Sequence, residues 1–261
     1  MEADPDDLSL ALELANIADS ITLQRYRAAD LSVATKPDLT PVSEADTAVE
    51  TAIRDHLATV RPDDSVLGEE FGDTGVGARR WIIDPIDGTM GYVRGLPVWA
   101  TLLALQEGDE FMVAAVSAPA LRRRWWASRG GGAYLDDGLV EAPRRLRVSS
   151  VAELSDAQLS LSAVDEWKAI GRLEGILELE RRCWRTRGFG DFWSYMLVAE
   201  GSVEIGLDAE ASLWDLAAMQ VIVEEAGGRF TDLGGVRRAD GGSAVATNGP
   251  LHEPVLEILG G

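Results

Sequence analysis

The hydrophobic positions in the first sixty residues recur at helical spacing. They predict one helix over residues 6–28 and, after a proline-broken loop at residues 32–41, a second helix. Ser43 is a good N-cap for the second helix, and Asp46 stands three residues later, where a capping box places an acidic side chain. This helix is predicted to end near Val60.

Strand-like patterns follow, because short apolar runs now alternate with turn residues. Two of these runs end in carboxylates, at residues 65–70 (SVLGEE) and 80–85 (RWIIDP). The segment 98–119 predicts a hairpin that turns at Gly108-Asp109. Two more strands are predicted at residues 124–128 and 132–138.

Helices and strands alternate after residue 150. Helices are predicted at residues 165–179, 191–200 and 213–228, and strands near residues 182–186, 202–208, 228–233 and 244–250. The change predicts a mixed α/β protein with an antiparallel-rich first lobe over residues 1–148 and an α/β second lobe over residues 149–261. The two lobes are expected to form one unit, since neither a linker nor an internal repeat is evident.

The composition is that of an ordinary globular chain, with 261 residues, 46% hydrophobic and 26% charged. A formal charge of -20 argues against a nucleic-acid partner, because such binding depends mostly on Lys and Arg. No apolar run approaches the roughly 20 residues that span a membrane, and the N-terminus is acidic where a signal peptide is basic. The single cysteine, Cys183, suits a reducing compartment, so a cytoplasmic location is expected.

Histidines and basic residues offer little catalytic chemistry. The run RRRWW at residues 122–126 is predicted to belong to an edge or interface strand. His56 falls within a helical pattern and His252 lies near the C-terminus, so both are predicted to be structural. Any chemistry must therefore depend on carboxylates, hydroxyls and backbone groups.

Acidic residues stand at the ends of four apolar elements: Asp46, Glu69-Glu70, Asp84 with Asp87, and Asp215. Each has a purely structural alternative. Asp46 would only cap a helix, Glu69-Glu70 would be a solvated strand end, and Asp215 would only favour the positive end of a helix dipole.

Asp84 and Asp87 favour a functional interpretation, because two carboxylates at the end of a buried strand repel each other unless a cation binds between them. Mg²⁺ takes a few carboxylates together with water and phosphate oxygens. Gly88 allows close approach of the backbone to a ligand, and the Gly88 and Thr89 amides at a helix start suit an anion. A metal beside a phosphate indicates phosphoryl transfer to water.

These residues resemble the inositol monophosphatase-like, Mg²⁺-dependent, lithium-sensitive phosphatases. The likeness covers nearly the whole chain through four ordered motifs: PVSEAD (41–46), GEE (68–70), DPIDGT (84–89) and WDLAA (214–218). The resemblance implies an αβαβα layered sandwich, usually a homodimer, that hydrolyses a small phosphate ester with two to three Mg²⁺ ions per site. After DGT the family commonly has a residue followed by Asn and an aromatic, whereas this chain has Met90-Gly91-Tyr92.

The metal ligands are carried over by position. Glu69, Asp84 and the carbonyl of Ile86 match the ligands of the first ion. Asp84, Asp87 and Asp215 match those of the second ion, which makes Asp84 the bridge. Glu69 also neighbours a third, weaker ion.

The remaining positions carried over concern water and phosphate. Asp46 and Thr89 match the pair that orients the attacking water, and Glu69 is grouped with them as catalytic. The amides of Gly88 and Thr89 match the phosphate cradle. Glu70 is expected to support the ligands from behind.

Several segments resemble the actinobacterial branch of the family that hydrolyses histidinol phosphate: residues 36–46, 67–72, 92–102 and 187–201. In the last of these, Asp191 replaces a small residue of the inositol branch. A carboxylate suits the ammonium and imidazole groups of histidinol phosphate. The other predicted substrate-binding residues are Glu44, Arg187, Asp208, Glu210 and Trp99.

Alternatives stay open for several of these residues. Asp191 would instead cap the helix that follows it, and Trp99 would instead be a core residue. Inositol monophosphatase is the alternative activity, with bisphosphate phosphatases more distant, and a non-catalytic metal- or anion-binding regulator is the alternative class. The intact set of acids argues against the regulator.

Overall fold

The computed structural model describes residues 3–37 and 39–260 and divides into two compact units, residues 1–144 and 145–261. Asp38, within the segment 36–46 named above, lies outside the described residues. Within the described ranges, none of the helices combines the length and apolar character that a membrane span requires.

Helices α1 and α2 of unit 1 begin where the sequence supplies caps. In α1, the side chain of Asp4 accepts the amide of Asp6 and Pro5 occupies the first turn. In α2, Ser43 and Asp46 form the predicted capping box. The helices of unit 1 are α1 (Pro5–Arg25), α2 (Glu44–Val60) and α3 (Thr89–Val93).

Most strands of unit 1 form one sheet with the order β10-β9-β8-β7-β6-β5-β3-β4. Among β3 to β9, the paired strands run antiparallel except for β3 and β5, which are parallel. The strands, with the separate β1–β2 pair first, are β1 (Val33–Thr35), β2 (Pro41–Ser43), β3 (Ser65–Gly68), β4 (Gly72–Thr74), β5 (Arg79–Asp87), β6 (Ala100–Glu107), β7 (Glu110–Ala118), β8 (Arg123–Ser128), β9 (Gly132–Asp136) and β10 (Arg144–Arg145).

The core of unit 1 lies between its long helices and one face of this sheet. Leu14 of α1 and Ile53 of α2 pack with Trp81 of β5 and Leu103 of β6, and all four are fully buried. Each fully buried large side chain contributes roughly 1.5–3 kcal/mol. This packing fixes β5, whose end carries Asp84.

Unit 2 contains a five-stranded sheet with the order β12-β11-β13-β15-β14. Strands β12, β11 and β13 run parallel to one another, and β15 pairs antiparallel with β13 and β14. The elements of unit 2 are β11 (Gln158–Leu161), α4 (Val164–Ala169), α5 (Leu173–Arg182), β12 (Arg185–Thr186), α6 (Asp191–Ala199), β13 (Ile205–Asp208), α7 (Leu213–Glu225), β14 (Arg229–Thr231), β15 (Ala244–Thr247) and α8 (His252–Leu259). The predicted mixed α/β class is confirmed.

Three predictions about local structure were wrong. The loop at residues 32–41 contributes two short strands that pair with each other. The helix predicted over residues 165–179 is two helices, because Gly171 adopts a φ of +75° between them. The edge position considered for the RRRWW run is also wrong, because strand β8, which carries most of the run, lies inside its sheet between β7 and β9; the interface alternative stays a prediction.

His252 is structural, as predicted. The residue is fully buried, and its two ring nitrogens lie 3.0 Å from the hydroxyls of Thr231 and Thr247. Thr231 donates its proton to the carbonyl of Asp232, so it accepts from Nε2–H and leaves Nδ1 to accept from Thr247. Burial, with some help from Arg229, lowers the pKa of His252 to about 4, so the ring is neutral at pH 7.

Candidate active site

A bulge in β5 brings Asp84 and Asp87 together. Residues three apart on a regular strand point to opposite faces, because side chains alternate with a period of two. The pairing of β5 with β6 shifts register between Asp84 and Asp87, and the Thr101 hydroxyl holds this irregularity by donating to the carbonyl of Pro85 at 2.8 Å. As a result, a carboxylate oxygen of Asp84 lies within 4.8 Å of one of Asp87.

The residues after the bulge connect it to α2. Gly88 adopts a left-handed φ of +81°, a conformation that glycine tolerates without strain, and it is the N-cap of α3. The Thr89 hydroxyl lies 2.8 Å from the carbonyl of Ile86 and 3.2 Å from Oδ1 of Asp46. Thr89 has one hydroxyl proton, so it donates to one of these acceptors at a time.

Asp46 is held by α2 and fully buried. Its Oδ2 accepts both the amide and the hydroxyl of Ser43, at 2.9 and 2.6 Å, while Oδ1 faces Thr89. Burial raises the pKa of Asp46, the hydrogen bonds from Ser43 oppose this rise, and repulsion from Glu69 adds to it. Asp46 therefore caps α2, as the structural alternative predicted, and it also contacts Thr89 of the DGT turn.

Glu69 and Glu70 follow β3 and share one cation. The Lys36 ammonium lies 2.7 Å from a carboxylate oxygen of each. The amide of Glu69 donates to the carbonyl of Ile83 at 3.2 Å, one residue before Asp84, so the GEE turn is tied directly to β5. Lys36 neutralises part of the negative charge of these two acids.

Electrostatic strain in this region is concentrated on Glu70. Burial raises its pKa to about 7, Lys36 pulls it down, and the Glu69 carboxylate raises it again. The same two carboxylates raise the pKa of Lys36 against the effect of its burial, so the lysine stays charged. The acids of the site therefore need positive charge nearby, and Lys36 supplies part of it.

Unit 2 contains the fourth predicted acidic element. Asp215 stands in the first turn of α7, where its Oδ2 accepts the amide of Ser212 at 2.6 Å in a second capping box. Asp215 therefore also has the structural role that the sequence offered as an alternative, that of an acid in the first turn of a helix. Both Asp46 and Asp215 are third residues after a serine cap, and their side chains point back toward the helix start.

Asp191 and Asp208 form the centre of a second acidic region in unit 2. Burial raises the pKa of Asp208 to about 7; the Tyr195 hydroxyl, which donates to it, opposes this, and Asp191, Glu166 and Asp215 add repulsion. Loss of hydration, followed by repulsion from Glu166, raises the pKa of Asp191, although the residue is exposed at the surface.

Asp191 does not cap α6. Gly190 is the N-cap, and no side-chain capping bond is present there among the described residues. Asp191 itself adopts a φ of +45°, which is uncommon for a residue other than glycine. The capping alternative for Asp191 is therefore wrong.

The other predicted substrate-binding residues differ in their surroundings. Trp99 is fully buried against Tyr26 and Tyr92, which gives it the core role. Glu44 pairs with Arg25 and is partly neutralised. Arg187 and Glu210 are exposed residues of unit 2.

Sequence reasoning missed two acidic residues close to the predicted ones. Glu50 is fully buried on α2 and binds the turn that holds Glu69 and Glu70. Its position four residues after Asp46, on the same helix face, was an available signal. Glu166 repels Asp191 and Asp208. No comparable sequence signal identified it, because it lies in α4, which the sequence predicted as part of one longer helix.

The donor set in unit 1 fits a hard divalent cation. Asp84 and Asp87 offer carboxylate oxygens close together, and the carbonyl of Ile86 lies between them in sequence. Oxygen donors of this kind suit Mg²⁺ or Ca²⁺ and not the softer thiophilic metals.

Comparison with known proteins places the chain in a family. The profile of the inositol monophosphatase family matches residues 5–259. The histidinol-phosphatases of Streptomyces coelicolor and Mycobacterium tuberculosis are each 56% identical to this chain; the alignments cover 97% of this chain and 97% and 98% of those proteins, respectively. The solved structure of an IMPase from Thermotoga maritima superposes with a TM-score of 0.85 at 30% identity, over 98% of this chain and 97% of that one. The chain therefore belongs to the inositol monophosphatase family.

Proposed function

We propose that this protein is a Mg²⁺-dependent phosphomonoesterase that hydrolyses L-histidinol phosphate to L-histidinol and phosphate. The observation that supports it most is the bulged turn that sets the carboxylates of Asp84 and Asp87 within 4.8 Å of each other, directly before Gly88. This turn stands in a chain 56% identical to two histidinol-phosphatases over nearly its full length.

The ligand assignment follows the family resemblance. Glu69, Asp84 and the carbonyl of Ile86 would hold one Mg²⁺, and Asp84, Asp87 and Asp215 would hold a second. A third, weaker ion would lie near Glu69, where it competes with the Lys36 ammonium that now contacts the carboxylate at 2.7 Å. The spacing of Asp84 and Asp87 supports the shared role of Asp84.

Bound Mg²⁺ would supply an acidified water as nucleophile and stabilise the negative charge that develops on the leaving oxygen. The chain itself orients the water. When Thr89 donates a hydrogen bond to Asp46, its oxygen keeps lone pairs that accept a hydrogen bond from the water. Ser43 occupies the other oxygen of Asp46, so the carboxylate cannot rotate away from Thr89. The amides of Gly88 and Thr89 would hold the phosphate.

Substrate selection would depend on the acids of unit 2. L-Histidinol phosphate carries an ammonium and an imidazole, whereas inositol phosphate carries only hydroxyls. Loss of hydration, together with repulsion from neighbouring acids, raises the pKa of Asp191 and of Asp208, and a nearby cation would stabilise their charged forms. We assign Asp191 the main contact, with Asp208, Glu210, Glu44 and Arg187 as further candidates.

Inositol monophosphatase is the second candidate. It is favoured by the superposition on the Thermotoga maritima IMPase, at 30% identity. It ranks second because this identity is lower than the 56% identity to the histidinol-phosphatases, and because the acidic residues around Asp191 suit a cationic substrate.

The test is phosphate release from a panel of esters with Mg²⁺, with and without lithium. L-Histidinol phosphate should be hydrolysed fastest, and omission of Mg²⁺ should abolish turnover. Faster release from inositol 1-phosphate would contradict the substrate, and turnover that is independent of Mg²⁺ would contradict the mechanism.

We also propose a cytoplasmic homodimer, following the family resemblance. Trp184 of unit 2 has 65% of its surface exposed, which is unusual for so large an apolar side chain and supports a contact surface there. Light scattering coupled to size exclusion should give twice the 28.1 kDa of one chain. A mass of one chain would contradict the dimer.

A further inference from the structure

We propose that Glu50, neutralised by Arg54, is a positioning residue that fixes the turn bearing Glu69 and Glu70 for metal binding. The proposal rests on the Mg²⁺ site put forward above. It concerns a residue that would not touch the metal or the substrate.

The carboxylate of Glu50 binds the backbone of this turn. Its Oε2 accepts the amide of Glu70 at 2.8 Å, and its Oε1 accepts the amide of Phe71 at 3.2 Å. The amide just before these, of Glu69, is held by the carbonyl of Ile83 on β5. Three successive amides of the turn are therefore fixed, two of them by one buried side chain.

Arg54 allows Glu50 to be buried as an ion. It lies one helical turn away on α2, and its guanidinium reaches Oε1 of Glu50 at 2.7–2.8 Å. The same group donates to the carbonyl of Gly72 at 2.6 Å and the hydroxyl of Thr74 at 2.7 Å, on the far side of the turn. A buried carboxylate without such a partner would be strongly destabilising.

The close packing of Glu50 explains the glycine of the GEE motif. A Cβ on Gly68 would lie 2.0–2.5 Å from the carboxylate atoms of Glu50, well inside van der Waals contact. Gly68 is absent from the residues with positive φ, so its backbone does not by itself demand glycine. Glycine is required here because a larger residue would occupy the space of the Glu50 carboxylate.

Helix α2 therefore reaches both candidate metal loops from one face. Asp46 contacts Thr89 after β5, and Glu50, four residues later, holds the turn after β3. Side chains at this spacing lie on the same side of a helix. A rigid helix that sets two loops at once is a direct way to keep Glu69 and Asp84 at the separation that a metal requires.

The experiment measures Mg²⁺ affinity by calorimetry without substrate, on the full-length chain. Glu50→Gln keeps the size of the side chain but leaves only one acceptor oxygen, so one amide of the turn loses its partner. We expect Mg²⁺ to bind roughly 10- to 100-fold more weakly, the usual effect of altering groups that orient metal ligands. At saturating Mg²⁺, the KM for substrate should change less than twofold.

Asp7→Asn is the matched control, because Asp7 is also a buried carboxylate of unit 1 bound to an arginine, with Arg79 at 2.6 Å. It should lower the melting temperature and leave Mg²⁺ affinity within twofold. Gly68→Ala is the second variant, should Glu50→Gln fail to fold. Its methyl group displaces the Glu50 carboxylate, and it should weaken Mg²⁺ binding in the same way.

Unchanged Mg²⁺ affinity in a folded Glu50→Gln or Gly68→Ala protein would overturn the positioning role. Equal weakening in Asp7→Asn would also overturn it, because the effect would then be general loss of stability. A wild type that bound no Mg²⁺ would overturn the proposed function together with this inference. A wild type that bound Mg²⁺ but preferred another ester would overturn only the substrate, and the predicted affinities would still support the role of Glu50.

Discussion

Asp46 in unit 1 and Asp208 in unit 2 are acids with the same kind of perturbation and opposite surroundings. Burial raises the pKa of both. Asp46 receives hydrogen bonds from the Ser43 amide, the Ser43 hydroxyl and Thr89, which hold it in one orientation. Asp208 receives the Tyr195 hydroxyl and is repelled by three other acids.

This contrast indicates two tasks for carboxylates in one protein. The unit 1 acids are fixed by amides, hydroxyls and the cations of Lys36 and Arg54, which is what a metal centre with strict geometry requires. In unit 2, Asp191 and Asp208 lose hydration and are repelled by neighbouring acids, and an organic cation would offset that repulsion. Under the proposed function, the first group performs the chemistry together with Asp215, and Asp191 and Asp208 select the substrate.

The largest expected effect comes from Asp84→Asn. Loss of the carboxylate proposed to bridge two ions should lower kcat by roughly 10³-fold or more, since several kcal/mol of charge stabilisation depend on the metals. Without Mg²⁺ the fold should be as stable as the wild type or more so, because repulsion with Asp87 falls. Phosphate-release assays and thermal melts measure the two quantities. Retained Mg²⁺-dependent activity in the variant would contradict the role of Asp84 as a metal ligand.

A smaller and selective effect is expected for Asp191→Asn. The kcat/KM for L-histidinol phosphate should fall roughly 10- to 100-fold, as for the loss of a charged hydrogen bond. The kcat/KM for inositol 1-phosphate should change less than threefold, because that ester has no cation. Equal losses of kcat/KM for both esters would contradict the assignment of Asp191 to substrate selection.

Asp208→Asn tests the cost of the repulsion. An acid with a folded pKa of about 7 and an unfolded pKa near 3.9 contributes stability that is complete below pH ~4 and is lost as pH rises through 7. In Mg²⁺-free buffer, the variant should therefore gain roughly 2 kcal/mol over the wild type at pH 8, a value reduced for partial exposure, and little at pH 4. Urea unfolding at the two pH values measures this. A variant less stable at pH 8 would show that Asp208 is favourably held.

The smallest effect separates the two capping boxes. Ser43→Ala removes the hydroxyl that donates to Asp46 at 2.6 Å, so it should cost about 1 kcal/mol of stability and lower kcat several-fold. Both variants keep the serine amide that donates to the aspartate, but the Ser212 hydroxyl accepts the backbone amide of Asp215, so the effect of Ser212→Ala on kcat should be smaller. Equal effects on kcat would show that the hydroxyl of Ser43 does not orient Asp46.

The sequence predicted the parts of this arrangement that depend on neighbouring residues. The capping box of Ser43 and Asp46, the hairpin turn at Gly108-Asp109 and the pairing of Asp84 with Asp87 all follow from local spacing. The role of Gly68 did not, because it depends on a side chain eighteen residues earlier that packs against it.

Charge interactions between residues far apart in the sequence also could not be predicted. Lys36 lies 33 residues before Glu69, and only the folded chain shows that its ammonium neutralises two acids of the site. The same holds for Glu166, whose repulsion acts on Asp191 from another helix. Sequence spacing identifies the acids, and the fold decides which cation or acid each one meets.

The central claim is that the metal-binding acids of unit 1, together with Asp215, perform the hydrolysis, while Asp191 and Asp208 select a cationic ester. The most direct measurement is the ratio of kcat/KM for L-histidinol phosphate to that for inositol 1-phosphate, in the wild type at saturating Mg²⁺. A preference of roughly 100-fold or more is predicted, equivalent to about 2.7 kcal/mol of selective binding. A ratio below one would contradict the account.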